Sequence, residues 1–130
     1  MGTSLEALLD QVQERGDFTS RQEAAGAVEN VLAILGAHLV GDDRTDLARL
    51  LPEQCGPVLA EAEPASEPLT PLEFVDAVAA RTGDDPSEAR RAVTAVLGTL
   101  ARTADDALLR RILTQLPPGH AGLFGRTEPT

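Results

Sequence analysis

The sequence predicts an all-α protein: six helices in two tandem three-helix repeats, packed with pseudo-twofold symmetry. Apolar residues recur at steps of three and four, the period of one helical face. Ser, Thr or Asp stands three places before Glu at several points, the signature of a helix start. Residues 23–52 also align with residues 88–117 at a constant offset of 65, with nine identities in thirty positions and no gap. Seven of the nine, from Glu23/Glu88 to Leu35/Leu100, follow the helical step, and the last two are Leu51/Leu116 and Pro52/Pro117.

The first helix spans about 4–15, with Leu5, Leu8, Leu9 and Val12 on one face, Thr3 and Glu6 at its start and a stop near Gly16. The second, about 21–39, opens with the Ser20–Glu23 capping box and presents Ala24, Ala27, Val28, Val31, Leu32, Leu35 and Leu39. Gly26 lies inside it, where glycine costs about 1 kcal/mol relative to alanine, and close approach of another helix is the expected reason. The third, about 43–51, presents Leu47, Leu50 and Leu51. Asp42, Asp43 and Asp46 are expected to cap it and favour its positive end; they lack the ligand order of a calcium loop.

The second repeat copies this plan over about 71–81, 86–102 and 105–116. Thr70-Pro71 with Glu73, and Asp85-Pro86 with Glu88, mark two of its starts, each with proline at the first helical position, where its missing N–H costs nothing. After Leu-Pro each repeat ends on an apolar latch, Leu59 and Phe124, again 65 apart. The repeats run over about 4–59 and 70–125, and residues 61–70, EAEPASEPLT, read as a Pro-rich linker. A single domain, 1–130, is expected, because one Ala-rich repeat alone buries too small a core.

The stretches LEFVDAVAARTG, SEARRAVTAVLGTL and LLRRILTQLPPGHAGLF together resemble the bacterial family called domain of unknown function 2267. The resemblance covers about residues 5–125 and rests on core and capping positions such as Phe74, Val78 and the Q-L-P ending. It implies a helical architecture and carries no catalytic signature. In the first repeat Leu8 stands where the family has an aromatic, and Leu50 where it has the Gln of Q-L-P.

Charge and motifs narrow the function. With 21 acids against 11 bases, all Arg, the chain carries −10, and most of its surface repels a polyanion, so nucleic acid is not an expected partner. No stretch has the length of a membrane span, one cysteine makes no internal disulfide, and MGTSLEALLDQVQER does not read as a signal peptide; a cytoplasmic location is expected. There is no Walker loop, no G-x-G-x-x-G, no H-E-x-x-H, and neither Lys nor Tyr, so no enzyme activity, cofactor or metal is expected.

Cys55 and His120 occupy equivalent places after Leu-Pro, and a thiolate beside an imidazole would make a nucleophile pair or half a metal site. Nothing at fixed spacing orients that imidazole, so both are expected to be structural. His38, near the end of the second helix, suits its negative end. Arg90, Arg91, Arg110 and Arg111 form two doublets in the second repeat, where the first has Ala25, Gly26, Thr45 and Asp46; with Arg81 and Arg102 nearby they are the expected partner surface. The resulting expectation is a non-catalytic protein-interaction or regulatory module, monomeric or weakly dimeric, that binds another protein through an apolar groove between the repeats or through the Arg-bearing face of the second. The alternatives are a helical ligand-binding or enzymatic domain using Cys55 and His120, and an acidic decoy for a nucleic-acid-binding protein.

Overall fold

A helix forms where its first N–H groups find acceptors, and here short polar side chains supply them. The computed structural model of the chain describes residues 4–65 and 67–125. Among these the secondary structure is entirely helical, with eight helices: α1 (Leu5–Gly16), α2 (Arg21–Ala37), α3 (Gly41–Leu50), α4 (Gly56–Ala60), α5 (Pro71–Thr82), α6 (Pro86–Thr103), α7 (Asp106–Gln115) and α8 (His120–Leu123). The six expected from periodicity are present within two residues at each end. The additional two, α4 and α8, follow the Leu-Pro stops, where single latches were expected, and are too short to show a period.

Ser20 Oγ accepts from Glu23 N at 3.1 Å, Asp85 Oδ1 from Glu88 N at 2.8 Å and Asp105 Oδ1 from Leu108 N at 2.7 Å. Thr70 and Glu73 form a full capping box, and the Thr70 backbone N–H, followed by its hydroxyl, holds the Glu73 carboxyl below its usual range. The Ser20 box is open on one side, because Glu23 reaches past it to the hydroxyl of Thr19 at 2.8 Å. At α1 the cap is Ser4, accepting from Ala7 N at 3.2 Å; the expected Thr3 lies outside the described residues. The α1 chain then leaves through Asp17 in the left-handed region, φ 52°, a conformation that Asp tolerates better than bulkier residues.

Packing is centred on the two long helices. α2 and α6 lie against each other; α1 packs on both, and so does α5. α4 sits on α2 and α3, α8 on α6, and α3 meets α7. One cluster of buried apolar side chains draws on all eight helices, from Leu8 in α1 through Val31 and Val96 to Leu123 in α8. Burying a Leu or Val side chain is worth about 1.5–3 kcal/mol, so this cluster is the main favourable term of the fold. Both latches are inside it, Leu59 and Phe124.

Glycine decides how closely α4 approaches. A Cβ at Gly36 would overlap the Leu59 carbonyl oxygen, and one at Gly56 would come within 3.0 Å of the Ala48 carbonyl oxygen. The close approach expected at Gly26 is therefore found at Gly36 and Gly56. The end of α2 is also well satisfied: Arg44 Nη1 donates to Gly36 O at 3.4 Å, Ala65 N to Ala37 O at 2.9 Å, and His38 Nδ1 meets Ile34 O at 2.8 Å. His38 thus serves the end of α2, as its position suggested. The same Arg44 donates to Ala62 O at 3.3 Å, so the start of the linker is pinned to the helix it leaves.

Candidate functional site

Three elements meet around a cleft of about 550 Å³: the first half of α2, the end of α5 and the start of α6. Its more buried lining, the floor, includes the small residues Ala27 from α2 and Ala92 from α6, with Gly26 beside them. Phe18, just after the left-handed turn at Asp17, forms one wall, and the Arg91 guanidinium carbon lies 5.5 Å from its ring centroid. A cation–π contact at such an exposed place is worth about 0.5–1 kcal/mol, enough to favour one orientation of Arg91. Across the cleft Arg81 Nε donates to Asn30 Oδ1 at 3.2 Å, and Asn30 Nδ2 donates to Gly26 O at 2.8 Å. Glu23, Asp84 and Glu88 contribute acids to the lining, so it offers both signs of charge.

Gly26 stands out on this floor. Apart from its chain neighbours and the backbone of its own helix, no atom lies within 4 Å of where its Cβ would be, so the packing reason expected from the sequence is absent. Its bare backbone faces open space in the cleft. A bulkier residue would fill that space.

The four arginines of the expected partner surface differ in their surroundings. Arg91 lines the cleft and is joined there by Arg81. Arg90 and Arg110 are exposed on α6 and α7. Arg111 is engaged within the protein, donating from Nε to Asp43 at 2.9 Å and from Nη2 to Asp46 at 3.4 Å. Arg102 lies elsewhere, beside Arg15. The N-cap of α3 is Val40, with no side-chain cap, and Val40 N donates to Gln115 Oε1 of α7 at 2.9 Å, so none of the three acids caps the helix. Asp42 and Asp43 do stand in its first turn, beside its positive end, and Asp43 and Asp46 also tie α3 to α7. Among the described residues no group of three or more His, Cys, Asp or Glu is placed to hold a metal ion.

Cys55 and His120 have separate surroundings. Cys55 is the N-cap of α4 and lines an apolar hollow of about 320 Å³ with Leu9, Val28 and Leu32. Burial pushes its thiol up, so at neutral pH it stays protonated and is a poor nucleophile. In the folded protein it should react with an uncharged thiol reagent far more slowly than after denaturation in urea; equal rates would show that it is accessible. His120 opens α8, its Nδ1 2.8 Å from Pro117 O, and its ring lies edge-on to Phe74 at 5.7 Å. His38 reaches the same Phe74 ring, at 6.3 Å.

The sequence singled out Arg91 and Gly26 separately and gave no sign that Phe18 would line the same cleft. A helix-interior glycine was the available signal, and only the neighbouring helices show which side of it is open. No helix among the described residues is long and apolar enough to cross a membrane. No curated protein matches the chain. Residues 5–123 match the family model described as an uncharacterized conserved protein, DUF2267, and the chain belongs to that family.

Proposed function

We propose that the chain is a non-catalytic interaction module that seats a segment of another protein in the cleft between α2, α5 and α6. The carrying observation is Gly26: it weakens α2 by about 1 kcal/mol relative to alanine, and no close neighbour requires it. A floor kept bare at that expense is explained by an occupant that needs the room. Arg81 and Arg91, each steadied by a neighbour, give such a segment oriented donors, and the acids of the lining give it acceptors. The protonated Cys55 thiol and its distinct surroundings from His120 support a role without nucleophilic chemistry.

The cleft belongs, on this reading, to a duplicated fold. Two units of four helices, each ending on its latch helix, pack with pseudo-twofold symmetry as one domain. In support, α1 packs on α6 as α5 packs on α2, while α2 meets α6 and α3 meets α7. Asp46 and Arg111, 65 positions apart, contact each other, as residues on a twofold axis would.

Gly26→Leu separates binding from folding. Leucine restores helix propensity, so the variant should be more stable than the parent by about 0.5–1 kcal/mol in urea denaturation. It should also lose the proteins that the parent captures from a lysate of its host, as should Arg91→Glu. Unchanged capture by both variants would remove the cleft from the proposal.

A further inference from the structure

A second open space lies away from the cleft, where α1 runs beside α6. This groove, about 790 Å³, is lined by Gln11, Glu14, Arg15, Arg102 and Thr103. It shares both arginines with an adjoining hollow of about 300 Å³ whose walls include Thr94 and Gly98. We propose that the groove binds a small oxyanion carrying at least two negative charges, such as a phosphate compound or a dicarboxylate. The idea is independent of the partner cleft and of its occupant.

The convergence of two arginines on one groove carries the inference. Among the described residues only Arg21 and Arg111 make ion pairs, so an arginine without a carboxylate is common here. Arg15 and Arg102 make neither an ion pair nor a side-chain hydrogen bond with a described residue, and unlike Arg90 and Arg110 they line the same open space. Both sit in the last turn of their helices, where a cation offsets the negative helix end. That accounts for their charge and leaves their N–H forks unused.

Arg15 has an informative counterpart. Arg81 holds the same place in the last turn of α5, sixty-six positions on, and donates to Asn30 of α2. Arg15 instead crosses α6 at Gly98, where a Cβ would come within 3.3 Å of its Nη1. Glycine leaves room for the guanidinium and offers it no side-chain acceptor. The guanidinium's N–H groups are open to an acceptor from outside the protein, and Arg forks select carboxylate or phosphate oxygens in paired fashion.

Two charges are specified because two guanidiniums line both spaces, and one would suffice for a monoanion. With Glu14 the local sum is +1, a positive island on a chain of −10. The volume lies in the usual range for a small-molecule site, roughly 300–1,000 Å³. The Gln11 amide is at hand as a further donor, whereas the Thr94 and Thr103 hydroxyls already donate to carbonyls of α6.

The test is an NMR titration of the whole chain at constant ionic strength, with inorganic pyrophosphate in one arm and succinate in the other. Saturable shifts of the amides of residues 11–15 and 94–103 are expected in at least one arm, and which arm responds identifies phosphoryl or carboxylate chemistry. Arg15→Ala/Arg102→Ala should weaken that binding by about tenfold or more, while Arg90→Ala/Arg110→Ala, which removes the same charge elsewhere, should leave it within about twofold. Both pairs are exposed, so either variant should keep the parent spectrum away from its substitutions. No saturable shift in either arm, or equal weakening by the two double variants, overturns the proposal.

Discussion

Replacing Phe74 with alanine should destabilise the protein by about 3–5 kcal/mol, a large part of the 5–15 kcal/mol that folded domains possess. The ring is fully buried on α5. It lies between two imidazoles, the His38 centroid at 6.3 Å and tilted 45°, the His120 centroid at 5.7 Å and nearly perpendicular. Alanine would leave a cavity that neither imidazole can close by a rotamer change, since each holds a backbone carbonyl through Nδ1 at 2.8 Å. Phe74→Leu should cost far less, about 1–2 kcal/mol, because most of the volume is kept. Leu8, sixty-six positions earlier and equally buried, shows a leucine accommodated on the matching helix. Urea denaturation reads both, and a midpoint for Phe74→Ala equal to the parent's would mean that the ring is not packed as described.

Gly36→Ala should destabilise by about 1–3 kcal/mol, and its sign is the point. The same substitution ten positions earlier in the same helix, Gly26→Ala, is expected to stabilise by about 0.5–1 kcal/mol. Propensity alone predicts a gain at both. At Gly36 the new methyl overlaps the Leu59 carbonyl oxygen and meets Ala62 Cβ at 3.0 Å, so α4 must move off α2. That shift drags Leu59, which is fully buried, out of its place in the core. For a chain of this size each kcal/mol moves the thermal midpoint by roughly 3–6 °C, so the two variants should melt on opposite sides of the parent. Two melts on the same side would show that α4 does not lie against α2.

These two glycines mark where the sequence was legible and where it was not. Periodicity and caps are local, so Ser20, Thr70 and Asp85 announced α2, α5 and α6 from their own neighbourhoods, and the Leu-Pro stops ended α3 and α7 in the right places. α4 and α8, five and four residues long, contain barely one turn and so carry no readable period. A glycine inside a helix signals that something is special without saying whether a neighbour is close or absent. That depends on what the rest of the chain brings to it, and Gly26 and Gly36 came out opposite. Charge was harder still: Arg90, Arg91, Arg110 and Arg111 look alike in sequence, and only the approach of α3 to α7 commits Arg111 to Asp43 and Asp46. The groove beside α1 had no sequence signal, since its arginines are 87 positions apart.

The contact of Arg111 with Asp43 and Asp46 has a consequence for how firmly α3 and α7 hold together. Its side chains are partly exposed, with Arg111 2.9 Å from Asp43 and 3.4 Å from Asp46. Added salt screens such charges, whereas buried apolar side chains are indifferent to that screening. Ionic strength therefore acts on this junction selectively, loosening one seam of the molecule while the core beneath it stays closed.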